Sequence, residues 1–402
     1  MANVSSSNGL EKRPKLRFPG FDEPYKQCHI GDIYAERSQR GASDMVLLSV
    51  TMNDGVIPRS EIEGKDNSSA DKSNYKVVLM GDMVYNSMRM WQGANGISPY
   101  DGIVSPAYTV LMPKIPISNG YFAALFKSPN LINEFRKNSQ GMTSDTWNLK
   151  YPQIETIKVH IPPLSEQNRV ADMLGTLERR IAKQAQLVEN LKKYKRGVMQ
   201  RIFRQLPSQN GAEWTCVRLG DIFKKVSRRN TDGVIKNVIT NSAEYGLIPQ
   251  RDFFDKVIAV DGNTANYYVI ENGDFVYNPR KSNSAPYGPF NRYTLSEQGI
   301  ISPLYTCLVL QADISPSYLA WYFKSDAWYR YIYDNGSQGV RHDRVSMTDD
   351  LLMGIPVMYP SHVKQLLYAD ILDMVEARLQ ATQKTLELLS KTRDSYMRQL
   401  FI

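Results

Sequence analysis

The chain has 402 residues, 42% of them hydrophobic and 22% charged, which is typical of a globular protein with room for two cores. Its 49 Lys and Arg against 41 Asp and Glu give a net charge of +8, which is compatible with a nucleic-acid partner but does not require one. Three widely separated cysteines exclude a disulfide framework or a zinc site, and neither a secretory signal nor a run of ~20 apolar residues is present. We therefore expect a cytoplasmic protein.

The sequence is duplicated. Gly-Asp-Met-Val-Tyr-Asn at 81–86 returns as Gly-Asp-Phe-Val-Tyr-Asn at 273–278, Phe-Lys-Ser at 126–128 returns at 323–325, and Ser-Gln-Gly at 139–141 returns at 337–339. Solenoid repeats are much shorter, at roughly 20–50 residues. The pattern therefore predicts two similar domains in tandem, placed so that a partner meets two related surfaces.

In chain order, Ile161-Pro162-Pro163 and Ile355-Pro356 separate globular stretches from helical ones. In the first globular stretch we predict a mixed α/β domain with short strands at 76–80, 83–86 and 108–112 and a helix near 119–137. Ser165 is expected to cap the long helix that follows. The predicted segments are a flexible tail (1–15), a first domain (16–160), a first long helix (161–204), a second domain (205–354) and a second long helix (355–402).

Both long helices carry apolar residues in steps of four and three, which is the 3.5-residue repeat of a coiled coil. Gln184 and Lys195 fill two seam positions of the first helix, and Thr382 and Arg393 fill the matching positions of the second. We predict that the two helices pair with each other as an antiparallel spacer; the alternative is that each packs only on its own domain. The predicted seam residues are Leu174, Leu177, Ile181, Val188, Leu191, Val198, Ile202, Leu372, Val375, Leu379, Leu386, Leu389, Tyr396 and Leu400.

Three strings together resemble the specificity (S) subunits of Type I restriction–modification systems. They are Leu-Arg-Phe-Pro-Gly-Phe at 16–21, Ile-Pro-Pro-Leu-Ser-Glu-Gln at 161–167, and the basic run at 191–203, whose ending is repeated at 397–401. The second copy departs from the pattern at 355–361, where the Pro-Leu-x-Glu-Gln form is missing, and this weakens the start of the second helix as a docking surface.

The resemblance implies two target recognition domains, each reading one half of a bipartite asymmetric site in double-stranded DNA, with a helical spacer between them. It also implies partners, two methylation subunits and two restriction subunits. The S-adenosylmethionine for adenine methylation and the ATP and Mg²⁺ for translocation and cleavage are then expected on those partners, and no catalytic centre, cofactor or metal is expected in this chain.

The two copies differ most in polar and basic segments, where side chains able to reach bases and phosphates concentrate. One such segment follows the repeated Tyr-Asn, and another follows Ser-Gln-Gly. A variable surface loop without a ligand is the alternative. The candidate DNA-binding residues are Ser87, Arg89, Trp91, Gln92, Asn95, Thr143 and Trp147 in the first copy, and Arg280, Lys281, Ser282, Asn283, Tyr287, Arg292, Arg341, His342 and Arg344 in the second.

The sequence leaves two alternative functions open. A self-contained DNA-modifying enzyme would need a catalytic motif, and the sequence has no Asn/Asp-Pro-Pro-Tyr/Phe string, phosphate loop or dinucleotide fingerprint. Asp54 with Glu63 and Lys65 is the nearest approach to a nuclease site, in a stretch that is typical of a solvated loop. An adaptor whose coiled coil binds protein, without DNA contact, is the second alternative.

Overall fold

The structure is a computed structural model in which the chain divides into two compact units. Unit 1 comprises Met1–Gln186 and Gln383–Ile402, and unit 2 comprises Leu187–Thr382. Each long helix contributes to both units. The described residues are 13–40, 44–52, 54–66, 68–143, 146–252, 264–336, 343–345 and 347–402, with the backbone of 2–3. Most of the predicted flexible tail lies outside them, although Ala2–Asn3 pairs with Leu16–Arg17 as a short antiparallel ladder.

The centre of unit 1 is an antiparallel sheet of four strands. Successive side chains of its strand Met83–Asn86 enter different cores: Met83 and Tyr85 pack with the helices, whereas Val84 packs with the smaller sheets. This alternation is the two-residue period of a strand that is buried on both faces. The four strands, in spatial order, are Tyr34–Glu36, Tyr108–Pro113, Met83–Asn86 and Asn95–Ile97; the two-stranded sheets pair Lys26–His29 with Lys158–Ile161, Leu48–Thr51 with Gly55–Pro58, and Lys76–Val78 with Gly102–Val104.

Unit 2 repeats this topology strand for strand, which confirms the predicted duplication and the mixed α/β class. Phe275 and Tyr277 face the helical core, while Val276 faces the core under the smaller sheets. The four-stranded sheet has the order Phe223–Val226, Thr306–Leu310, Phe275–Tyr277 and Phe290–Arg292; the two-stranded sheets pair Thr215–Arg218 with Pro356–Tyr359, Ile239–Ser242 with Gly246–Pro249, and Tyr268–Ile270 with Gly299–Ile301.

The single helix predicted near 119–137 is wrong, because the structure has two. Asn119–Leu125 ends before Ser128, whose side chain accepts a hydrogen bond from the Leu131 amide and begins a second helix, Pro129–Asn138. The remaining α-helices are Ile30–Ile33, Tyr151–Ile154 and Leu164–Gln200 from the first half of the chain, and Leu206–Gln209, Leu219–Ile222, Pro316–Lys324, Tyr329–Asn335, Asp349–Met353 and His362–Gln399 from the second; 3₁₀ turns lie at Arg59–Glu61, Met90–Gln92, Gly211–Glu213 and Gln250–Asp252.

The ends of the long helices differ from the prediction in two respects. The first helix starts at Leu164, so Ser165 lies inside it and is not the cap. The second starts at His362, because the chain from Pro356 to Tyr359 forms a strand paired with Thr215–Arg218. The first helix continues beyond Gln200 as a π-helical turn, Arg201–Gln205.

One glutamine ties the start of each long helix to its unit. The Gln167 side chain accepts a hydrogen bond from the Ser118 amide (3.1 Å) and donates one to the Pro162 carbonyl (2.9 Å). Gln365 makes the same two bonds, with the Ser315 amide and the Pro360 carbonyl, at 2.8 and 2.9 Å. The second copy therefore keeps the residue of the Glu-Gln pair that ties the helix to its own unit. The weakening of its start as a docking surface stays a prediction.

The glutamate of the same pair is not kept. Glu166 is buried and forms a two-bonded ion pair with Arg17, at 2.9 and 2.8 Å. Arg17 and Glu166 belong to two different strings of the family resemblance, so the pair joins them directly. In the second copy Lys364 stands in place of Glu166 and pairs with Glu213 at an exposed position.

The long helices run antiparallel and are joined within each unit by one cross-helix ion pair. In unit 2, Lys195 pairs with Glu376 at 2.9 Å; in unit 1, Arg393 pairs with Glu178 at 3.8 Å. The predicted seam residues are all buried or half-buried. Those near the helix ends join the domain cores, Leu174 with Leu400 in unit 1 and Ile202 with Leu372 in unit 2. The helices therefore pair with each other and also pack on the domain cores near their ends.

Candidate nucleic-acid interface

In unit 1, the two predicted segments form one surface. The Leu149 amide donates to the Ser87 carbonyl at 2.9 Å, which brings the chain after Ser-Gln-Gly beside the loop that follows Tyr-Asn. In the same two segments, the rings of Trp91 and Trp147 meet edge to face with centroids 5.1 Å apart. The pair holds the loop in place, since such contacts contribute about 0.5–1.5 kcal/mol beyond area burial.

The outward side chains of this surface are mostly polar. Arg89, Gln92 and Thr143 are exposed, and within the part of the chain that the structure describes, the guanidinium of Arg89 has no hydrogen-bond or ion-pair partner. Two exposed methionines, Met88 and Met142, were not among the predicted site residues. Their position beside predicted residues was a signal that apolar groups for thymine methyl contacts were also available. We call Arg89, Trp91, Gln92, Met142, Thr143 and Trp147 the first-copy surface.

Ser87 and Asn95 are corrections. Both side chains are buried, with exposed fractions of 5% and 0%. The Ser87 hydroxyl bonds to that of Thr109 at 2.8 Å, and the Asn95 amide donates to the carbonyls of Gly93 and Phe126. These two residues hold the loop from beneath, and their burial leaves almost no exposed side-chain surface for a ligand.

Unit 2 brings the equivalent segments together. The amides of Lys281 and Val345 donate to the carbonyls of Asp343 and Pro279, both at 2.9 Å, and Arg280 lies opposite Arg344 in an antiparallel bridge. Arg280, Ser282 and Asn283 are exposed, whereas Lys281 and Arg344 are half-buried. We call Arg280, Lys281, Ser282, Asn283 and Arg344 the second-copy surface. Arg341 and His342, predicted with it, lie outside the described residues.

Two carboxylates near the second-copy surface approach basic side chains. Asp343 approaches Arg280, with Nε and Oδ2 4.0 Å apart, and Asp349 pairs with Lys225 at 2.6 Å. The Arg280 pair is long and its side chains are exposed, so it contributes little to stability. The ion pair with Asp343 therefore does not fix the position of the Arg280 side chain.

Tyr287 and Arg292 are more enclosed than predicted. The ring of Tyr287 packs on that of Tyr329, with centroids 5.0 Å apart. Arg292 ends the strand Phe290–Arg292, and its guanidinium donates to the Ser317 hydroxyl at 3.4 Å. Neighbouring Gly288 has φ +86°, and a Cβ there would lie 2.0 Å from the Asn278 carbonyl oxygen, so the turn of this loop requires glycine.

The aspartates of the repeated Gly-Asp turns have structural roles. Asp82 accepts the Leu79 amide at 2.8 Å, and Asp274 accepts the Glu271 amide at 2.9 Å. Each aspartate also pairs with an arginine that the sequence analysis missed, Arg37 at 2.6 Å and Arg228 at 2.7 Å. These pairs fasten the strand that precedes each loop.

Asp54, the nearest approach to a nuclease residue in the sequence, has a local structural role. Asp54 accepts a hydrogen bond from the Thr51 hydroxyl in a local turn, which accounts for its position without a metal. Across the described ranges, no three His, Cys, Asp or Glu side chains form a group suited to a metal ion. No helix in those ranges is long and apolar enough to cross a membrane. The absence of catalysis stays a prediction.

Comparison with known proteins gives a match to one family over part of the chain. Residues 39–193 match the family model described as the Type I restriction modification DNA specificity domain. This part of the chain is similar to the specificity subunits of Type I restriction–modification systems. A curated member of this family, the putative type I restriction enzyme MjaX specificity subunit of Methanocaldococcus jannaschii, is 21% identical over 280 residues. That match covers 56% of this chain and 64% of the relative's length.

Solved structures of specificity subunits share the fold. The S subunit of a Type I system from M. genitalium superposes with a TM-score of 0.57 at 14% identity, covering 97% of this chain and 99% of that one. A chain from a study of complex assembly and conformational transition in the type I R-M system gives 0.56 at 16% identity, covering 95% and 98%. The architecture of two domains with long helices is therefore shared with these solved structures.

Proposed function

We propose that this chain is the DNA-recognition subunit of a Type I restriction–modification complex and that each copy reads one half of a bipartite, asymmetric site. One observation carries the proposal. The same framework brings the same two segments together in both units, but the first-copy and second-copy surfaces carry different side chains. Two different half-sites require this combination.

The side chains suit direct readout. Arg89 and Gln92 match the hydrogen-bonding edges of guanine and adenine, and Met142 offers an apolar contact to a thymine methyl. The second-copy surface is more basic, with Arg280, Lys281 and Arg344 available to guanine edges or phosphates. The net charge of +8 favours association with DNA and makes its affinity dependent on salt.

We further propose that two methylation subunits and two restriction subunits assemble with this chain in the cytoplasm. In this arrangement the methylation subunits supply S-adenosylmethionine and adenine chemistry, and the restriction subunits supply ATP- and Mg²⁺-dependent translocation and cleavage. The chain itself contributes recognition alone. Similarity to the specificity subunits supports this division of labour.

The test compares one double variant for each copy in the assembled methyltransferase. Arg89→Ala with Gln92→Ala should relax or abolish one half-site, and Arg280→Ala with Lys281→Ala the other, as measured by methyl transfer to duplexes altered in one half at a time. Arg330→Ala is the matched control, because it removes an exposed arginine outside both surfaces.

A change in both half-sites from either variant, or in neither, would contradict independent reading by the two copies. The purified chain alone, incubated with DNA, Mg²⁺ and S-adenosylmethionine, should neither cut nor methylate. Activity of the chain alone would favour the enzyme alternative.

A further inference from the structure

Each copy has a cavity beside the lysine of its repeated Phe-Lys-Ser string, but the two cavities differ greatly in size. The cavity in unit 1 has a volume of about 870 Å³, and its counterpart in unit 2 about 220 Å³. Typical small-molecule sites occupy about 300–1,000 Å³, so only the first is of that size. Equivalent residues line both: Lys127 and Lys324, Glu178 and Glu376, Arg393 and Lys195, Met397 and Met199.

A tryptophan accounts for the smaller cavity of unit 2. The Trp321 indole N–H donates to the Asp373 carboxylate at 2.8 Å, and the Lys324 ammonium lies 4.7 Å from the ring centroid. In unit 1, Ala124 stands at the position of Trp321 and Gly175 at that of Asp373. Unit 1 therefore lacks both the indole ring and the carboxylate that interact in unit 2. The volume that these two side chains fill in unit 2 remains part of the cavity in unit 1.

Unit 1 keeps the lysine that lies against the Trp321 ring in unit 2. Lys127 is half-buried, and among the described residues its ammonium donates only to the Met52 carbonyl, at 3.3 Å. Burial lowers the pKa of this lysine. A Cβ at Gly175 would meet only the Arg179 guanidinium, at 3.6 Å, so the cavity has free space beside Gly175.

A hydrogen-bond acceptor is also available there. Glu178 lies one helical turn beyond Gly175 and lines the same cavity. Its pair with Arg393 is long, at 3.8 Å, whereas Lys195 and Glu376 in unit 2 are 2.9 Å apart. The walls between these groups are apolar, formed by Ala123, Ala124, Ala171, Leu174 and Met397.

We propose that the cavity of unit 1 binds a small molecule with a fused aromatic ring, of indole or purine size, stacked against the Lys127 ammonium where unit 2 uses its own Trp321. The electron-rich face of such a ring attracts a partly desolvated cation. Filling the cavity restores dispersion contacts that its walls lack when it is empty. A ring N–H reaches for the Glu178 carboxylate, as the Trp321 N–H does for Asp373.

The test uses 5-fluoroindole as the probe and ¹⁹F NMR titration of the full chain as the readout. Saturable binding at one site is expected for the native chain. Ala124→Trp with Gly175→Asp rebuilds the unit 2 arrangement and should abolish that binding. The converse change, Trp321→Ala with Asp373→Gly, should add a second site. Lys127→Met keeps the cavity and should weaken binding about tenfold.

Circular dichroism establishes that each variant is folded, and Gly175→Leu provides a second way to block the cavity should Ala124→Trp fail to fold. Displacement of the probe by adenosine would identify the site as purine-binding. Displacement only by N-acetyltryptophanamide would identify it as indole-binding, and either result supports the proposal. The proposal would be overturned if the native chain showed no saturable binding of the probe. It would also be overturned if a folded variant with a blocked cavity bound the probe as tightly as the native chain does. The titration contains neither DNA nor partner subunits, so its outcome is independent of the recognition function.

Discussion

Lys195 of the first long helix and Glu376 of the second form an ion pair at 2.9 Å, and the duplication repeats this pair with its helices exchanged, as Arg393 with Glu178. Both cations occupy polar positions of the predicted seam. Polar seam residues are known to select the register of paired helices. We infer that these two pairs set the antiparallel register in this chain.

The register assignment predicts a measurable coupling. Lys195→Glu should destabilise the chain through repulsion from Glu376, and the added Glu376→Lys should recover most of the loss. A double-mutant cycle in chemical denaturation should give about 0.5–1 kcal/mol, as for partly exposed pairs. The same cycle at Arg393 and Glu178 is the matched comparison and should give less, because those groups are further apart. Equal couplings would argue against a distance-dependent ion pair.

The same coupling should depend on pH. Burial acts to raise the pKa of the Glu376 carboxyl, but the hydrogen bond and charge of Lys195 outweigh it, so the pKa lies below its ordinary value. A carboxyl with a lowered pKa stabilises the fold above its unfolded pKa of about 4.5, and this contribution is lost as the pH falls through the folded value. The coupling energy should thus be complete at about pH 7 and smaller at about pH 3.5. An increase on acidification would contradict this assignment.

The buried pair of Arg17 and Glu166 should matter far more for stability. Their side chains are 3% and 1% exposed, so Glu166→Gln leaves the guanidinium without its counter-ion in the interior. Removal of one partner of such a pair typically costs about 3–5 kcal/mol. Glu213→Gln, which removes the exposed counterpart of this pair, should cost less than about 1 kcal/mol. Similar losses in the two variants, measured by urea denaturation, would show that burial is not the deciding factor.

The spacer hypothesis predicts the effect of added helix. One heptad inserted at Gln184 and another at Thr382 lengthens each helix by about 10 Å, which corresponds to about three base pairs of DNA. The unspecified gap in the methylated motif should lengthen accordingly. Insertion in one helix alone should disturb the pairing and is the control. An unchanged gap after matched insertion would refute the spacer role.

The order of the elements and their duplication could be read from the sequence, because repeated strings and heptad steps are local patterns. The role of Gln365 could not be read from the sequence, since it is kept inside a string that has otherwise changed. Ser128-Pro129 was a visible helix start that the wider apolar pattern obscured.

Exposure could not be predicted in the same way. Ser87 and Asn95 are polar residues in a loop, and their burial depends on contacts with Thr109 and Phe126, which are distant in sequence. The contact of Trp91 with Trp147 likewise depends on tertiary structure. Composition therefore indicated the two segments of each surface, while the fold decides which side chains face outward.

The most direct test of the recognition function is single-molecule sequencing of N6-methyladenine in the native host, with this gene intact, deleted, or altered at Arg280 and Lys281. Deletion should remove one bipartite, asymmetric motif from the methylome, and Arg280→Ala with Lys281→Ala should change one half of that motif alone. A methylome unchanged by deletion would contradict the account and favour an adaptor without DNA contact.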